Sequence, residues 1–187
     1  MNGWEYVLLF LAVMASWAGV PMIGSAAVGA AAVGASQGNL NLVAVIVIAA
    51  LAGEVGGIVG YRVGDRWGRQ LIERPGKRQA SRQQLMAKGE RAYAKWGRLA
   101  VFFTPAIISG TAKMKRGQFV LWNFVASIAF ALSVAPTAYG AGKVATGHNS
   151  TKDVVILIFG LAMSALLVLI LMGRHRRHAA RSAAQGP

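Results

Sequence analysis

Long apolar runs, broken by proline and glycine and bracketed by blocks of cations, set the pattern of this chain. Tyr6 to Ala35 is thirty residues without a charge, more than one straight helix needs to cross a hydrocarbon core of about 30 Å. The run is interrupted at Gly19-Val20-Pro21 and again at Gly24-Ser25. Proline inside a helix removes a hydrogen bond and clashes with the preceding turn. The pattern therefore predicts a first helix within residues 1–18 and a Pro-broken, small-residue segment over 19–36, either re-entrant or a kinked continuation. Gln37-Gly38-Asn39 reads as a turn. Residues 40–61 then form a full-length span that closes on Tyr61, an interfacial aromatic.

Residues 62–98 are dense in cations, yet Leu85, Met86, Gly89, Tyr93 and Trp96 share one helical face while Lys88, Arg91 and Lys95 lie on others. That is the pattern of a basic amphipathic helix in the headgroup region. Trp67 and Leu71 predict a shorter helix of the same kind before Pro75-Gly76. Residues 99–112 are apolar but too few to cross a bilayer, and Pro105 breaks them; a re-entrant segment is the expectation. Further spans are predicted over 119–142 and 153–173, followed by a basic tail over 174–187.

Charge orients these elements. Of the 20 Lys+Arg against 6 Asp+Glu, eleven lie between Arg62 and Arg98 and four between Arg174 and Arg181. Cations clustered beside apolar runs follow the positive-inside rule, so nucleic acid is not the expected partner. Both ends of 99–112 are basic, which places the 62–98 segment and the C-terminal tail in the cytoplasm. The start, with Glu5 and no cationic stretch, reads as a retained helix rather than a cleaved signal. Cysteine is absent, so thiol chemistry is excluded. His148, His175 and His178 have no carboxylate at ligand spacing, and Ser109 has no base beside it. No enzyme, metal or cofactor is expected.

Glu54 is the exception inside the apolar pattern, one or two turns from the end of its predicted span. A carboxylate there is expensive and is by default a functional candidate; solvation near the interface or a purely structural ion pair is the plainer reading. The glycines of Glu54–Gly68, EVGGIVGYRVGDRWG, fall within a span and read as close-packing positions.

The two halves also match. Pro21 and Gly24 precede a span ending Tyr61-x-x-Gly64; Pro105 and Gly110 precede one ending Tyr139-x-x-Gly142. The charge topology brings the first half in from outside and the second from inside. An inverted repeat with a broken segment in each half points to a transport site near the midplane. The expected fold is all-α and integral to the membrane: two re-entrant segments, each followed by a span, with the basic helix and a C-terminal span added.

The order of Pro-broken segment, Glu54, Gly60-Tyr61-x-x-Gly64-x-x-x-Gly68, Phe102-Phe103-x-Pro105, Met114-x-x-x-x-Phe119-x-x-x-Asn123 and Tyr139-Gly140 resembles the DedA family, the bacterial branch of the SNARE-associated Golgi protein (VTT domain) group. The resemblance covers residues 19–142. It implies a multi-pass protein of the bacterial inner membrane that flips or scrambles phospholipid or polyprenyl phosphate, with proton coupling. Two positions depart: Ser25 stands where the family usually has an acidic residue, and Thr104-Pro105-Ala106 carries none of its arginines.

On this reading Glu54 is the transport and proton-coupling candidate. Thr104, Ser109, Thr111, Lys113 and Asn123 are the candidates for a substrate groove, and the partners are anionic or phosphate-bearing lipids, with a homo-oligomer as a further expectation. Two other readings stand beside it. One is a non-transporting scaffold whose basic helix binds anionic lipid or a cytoplasmic partner; the other, a proton-coupled exporter of a small cation, rests on Glu54 alone.

Overall fold

The computed structural model describes residues 3–19, 22–73, 84, 87, 106–111, 114–147 and 150–166, with the backbone alone described over 69–73. Every regular element among them is helical: α1 Trp4–Ala18, α2 Ile23–Ser36, α3 Leu42–Glu73, α4 Ala106–Thr111, α5 Arg116–Ala145 and α6 over 151–166. Two are long and apolar enough to cross a membrane, through Leu42–Gly68 and Arg116–Ala145. At 15 and 14 residues, α1 and α2 rise only about 22 Å each.

Helices α1 and α2 form a hairpin. The chain leaves α1 through Gly19, whose φ of 140° an L side chain rarely adopts. It enters α2 through Met22 at φ 75°. A non-glycine residue there carries about 1–2 kcal/mol of strain, and the Met22 side chain is 81% exposed, with little contact to offset it. Met22→Gly should therefore raise unfolding stability by about 0.5–1 kcal/mol, allowing for glycine's freer unfolded chain. Thermal unfolding in micelles checks this, and a lowered midpoint would contradict it. The hairpin is tight because Gly24 sits against Ser16 and Val13. Pro21 lies outside the described residues.

The central element is α3, and two of its faces are cut back to glycine. Gly56, Gly60, Gly64 and Gly68 recur every four residues and so share one side of the helix. Gly56 touches the Met14 backbone, Gly60 touches Ala18 and Ala106, Gly64 touches the Ile107 backbone and Gly68 touches Thr111. The stripe thus seats the end of α1 and then all of α4. These are the close-packing positions expected of small residues in apolar helices. Gly53 and Gly57 open a second face toward Ser127 and Asn123 of α5.

Tyr61 stacks on Phe119 with ring centroids 4.6 Å apart, Gly57 meets Asn123, and Gly53 meets Ser127. One partner rises as the other falls, so α3 and α5 run antiparallel. The main core joins α1, α2, α3 and α5 through Leu9, Val13, Val28, Ala32, Val45, Ala49, Ala52, Ala131 and Ala135. At the far end Gly140 packs on Leu157 and Gly160 on Thr137, which lays α6 antiparallel along α5. The outer side of α3 presents Val43, Val47, Leu51, Val55 and Val59, all exposed. Apolar side chains in such a row suit a helix whose other side is hydrocarbon.

The helix does not stop at Tyr61. It runs through the first basic residues to Glu73, so the short separate helix expected around Trp67 and Leu71 is the last part of α3. The cause is tertiary. Gly64 and Gly68 hold α4 against this stretch, and Asp65 pairs with Arg116 at 3.1 Å, an exposed contact worth little by itself. The amphipathic pattern beyond residue 73 and the tail over 174–187 lie outside the described residues, apart from residues 84 and 87, both helical.

Candidate functional site

A polar side chain in the middle of one apolar helix gains most from a polar side chain in the middle of its neighbour. Glu54 and Asn123 meet that requirement. Glu54 lies twelve residues into α3, about 18 Å from its start at 1.5 Å per residue, near the centre of the Leu42–Gly68 stretch. It is less close to the helix end than expected, because the helix continues past Tyr61. Asn123 lies on α5 and is 1% exposed.

Asn123 Nδ2 donates to Glu54 Oε2 at 2.7 Å. The same nitrogen lies 3.4 Å from the Gly53 carbonyl oxygen and 3.4 Å from that of Glu54. The rest of the amide occupies the space beside Gly57, where a Cβ would overlap Oδ1. Glu54 is half-buried as a residue, but its Oε1 is fully buried and accepts no hydrogen bond among the described residues. Trp17 of α1 packs on Gly53, the residue before Glu54: its ring edge lies 3.2 Å from where a Gly53 Cβ would stand, and it meets Phe130 edge-on at 5.8 Å.

The other sequence candidates are placed differently. The Thr111 hydroxyl lies 2.9 Å from the Ile107 carbonyl and 3.2 Å from the Gly64 carbonyl, so it ties α4 to α3. Ser109 is wholly buried and has a partner of its own. Gly110 fits against the Tyr61 carbonyl and the Asp65 amide. The Ser25 hydroxyl donates to the Met22 carbonyl at 3.1 Å. Thr104, Pro105 and Lys113 lie outside the described residues.

The motif residues of the two halves take related positions. Gly64 packs on α4, the short helix of the second half, and Gly142 packs on Val33 and Ser36 of α2, the short helix of the first. Tyr61 donates its hydroxyl to the Met114 carbonyl. Tyr139 has Lys143 5.9 Å from its ring. Gly19, at the first break, touches the Ile107 side chain of α4, 2.8 Å from where its Cβ would be.

Two residues of the site escaped sequence reasoning as a pair. Glu54 and Asn123 were each candidates, but nothing joined them. The available signal was one strongly polar side chain deep in each of two long apolar helices. Trp17 had no signal at all.

A helix-built membrane protein with a polar pair between its two long helices is the class this geometry defines. No family model matches the chain, and no solved structure matches it. Among curated proteins, Protein DedA of Escherichia coli is 25% identical over 96% of this chain and 87% of its own. The uncharacterized membrane protein YkoX of Bacillus subtilis is 27% identical over 76% of this chain and 68% of its own. An uncharacterized membrane protein of Synechocystis is 29% identical over 75% and 69%. The chain is thus similar, at 25–29% identity, to Protein DedA and to two uncharacterized bacterial membrane proteins.

Proposed function

We propose that the protein translocates lipid, moving a phospholipid or a polyprenyl phosphate carrier across the bacterial inner membrane, with Glu54 as its titrating group. The observation that carries this reading is the Glu54 carboxyl itself: central in the Leu42–Gly68 stretch, bonded on one oxygen and, among the described residues, unpartnered on the other. Such a group in a membrane helix is retained for a task, because burial without full pairing is costly.

The contact between Gly19 and Ile107 supports two broken segments that face one another. Irregular backbone in a bilayer is tolerated only where it lines protein or a wet cavity, so the meeting point of the breaks is a reasonable mouth for a head group. The positions of Gly64 on α4 and Gly142 on α2 support an inverted repeat. In this reading the basic segment over 62–98 and the C-terminal tail face the cytoplasm, the lipids handled bear phosphate, and the chain works by transport rather than catalysis, in one or more copies.

The test is transfer of labelled lipid phosphate in liposomes, with and without a pH gradient. Glu54→Gln should slow transfer about tenfold or more and remove any response to the gradient. Equal rates for the two proteins would refute the assignment of Glu54. No transfer by the wild type would favour the scaffold reading instead.

A further inference from the structure

The two oxygens of Glu54 are not equivalent. Oε2 accepts the Asn123 N–H at 2.7 Å, while Oε1 is buried and accepts nothing among the described residues. A protonated carboxyl accepts hydrogen bonds more strongly on its carbonyl oxygen than on its hydroxyl oxygen. With the Asn123 N–H already on Oε2, the proton is therefore favoured on Oε1, which leaves Oε2 as the carbonyl acceptor. We infer that Asn123 is a positioning residue that fixes the Glu54 carboxyl and directs its proton to Oε1.

The asparagine is itself held. Its Nδ2 is within reach of three oxygens, all belonging to Gly53 and Glu54. Its Oδ1 side fills the place of the missing Gly57 side chain. Rotating the amide would turn Oδ1 toward a carboxylate and two carbonyls, three acceptors with no donor among them. One orientation is favoured by every contact, and Gly57 is the residue that admits it.

Proton uptake then forms one O–H bond on Oε1 and neutralises the carboxylate, while the Asn123 bond is kept and Oε2 becomes the carbonyl oxygen. The helices packed on this part of α3 set Met14 against Gly56, Trp17 and Ser127 against Gly53, and Asn123 against Gly57 and Glu54. Charged side chains with described positions stand away from it: Glu5 opens α1, Arg62, Asp65 and Arg66 lie two or more turns further along α3, and Lys115, Arg116 and Lys143 lie at or near the ends of α5. Lys152 and Asp153 belong to α6, which packs on the far part of α5. Within this shell the carboxyl answers to one hydrogen-bond donor.

This inference rests on Glu54 being the titrating group, but its test needs no lipid transfer. Infrared difference spectra of the full chain in nanodiscs, taken along a pH series, read the C=O stretch of the protonated carboxyl, and the band is assigned by its loss in Glu54→Gln. In the wild type the band should fall at the lowered frequency of a carbonyl that accepts one hydrogen bond. Asn123→Ala should shift it upward to that of a free carbonyl. Gly57→Ala, which keeps Asn123 but displaces its amide, should shift it the same way. A wild-type band already at the free position overturns the proposal, and that reading needs neither the Asn123 nor the Gly57 variant to fold. A band that titrates yet stays fixed in both variants also overturns it while leaving Glu54 as the titrating group. If no Glu54 band appears down to the lowest pH at which the chain stays folded, the titrating role itself is refuted.

Discussion

Gly56→Val should cost about 3–4 kcal/mol of stability or prevent the protein from accumulating at all. A Cβ at Gly56 would overlap the Met14 carbonyl oxygen and stand 2.9 Å from Met14 Cα and C. A flexible side chain can move aside, but the backbone of a packed helix cannot. Helix α1 would have to lift off α3, taking Leu9 and Val13 out of the main core. The matching control is Gly29→Val on α2, where nothing lies within 4 Å of the added carbon. That change should stay within about 0.5 kcal/mol, as for a surface substitution. Thermal unfolding in micelles compares the two, and similar losses would mean that the glycine stripe is not a packing surface.

Removing Asn123 should cost far more when Glu54 is present than when it is absent. In Asn123→Ala the Glu54 carboxyl loses the 2.7 Å bond to Oε2 and has no described donor left on either oxygen. A buried acceptor stripped of its partner carries a desolvation penalty of about 1–3 kcal/mol, and more when charged. In a Glu54→Ala background the same change removes an amide that no longer serves a carboxylate. The cycle should give a coupling energy of about 1–3 kcal/mol, the range for a hydrogen bond to a charged group. Unfolding of the four proteins in micelles measures it. Strict additivity would show that the contact contributes nothing to the fold.

The candidate site was partly legible because the membrane raises the contrast of polar residues. Glu54 stood out against an apolar helix, and the glycines after it announced close packing. The length of the helix that carries Glu54 was not legible. Tyr61 followed by Arg62 has the look of an interface, and local pattern alone ends the span there. What carries the helix onward to Glu73 is α4 lying against Gly64 and Gly68, a contact with residues more than forty positions away. Thr111 and Ser109 looked like groove hydroxyls because nothing local shows that the first is bonded to backbone and the second buried.

The sequence by itself determined the class of this protein. Apolar runs of membrane length, cations massed beside them, proline breaks and a glycine-rich span are local features, and each follows from the cost of polar groups in hydrocarbon. The break after α1 and the helix after it were readable for the same reason. Which helix touches which was decided only by tertiary structure. The antiparallel crossing of α3 and α5 brings Glu54 to Asn123 across 69 positions of chain. That register depends on the fit of Gly53 and Gly57 to Ser127 and Asn123. Packing of this kind is a property of two surfaces together, and neither surface carries it alone.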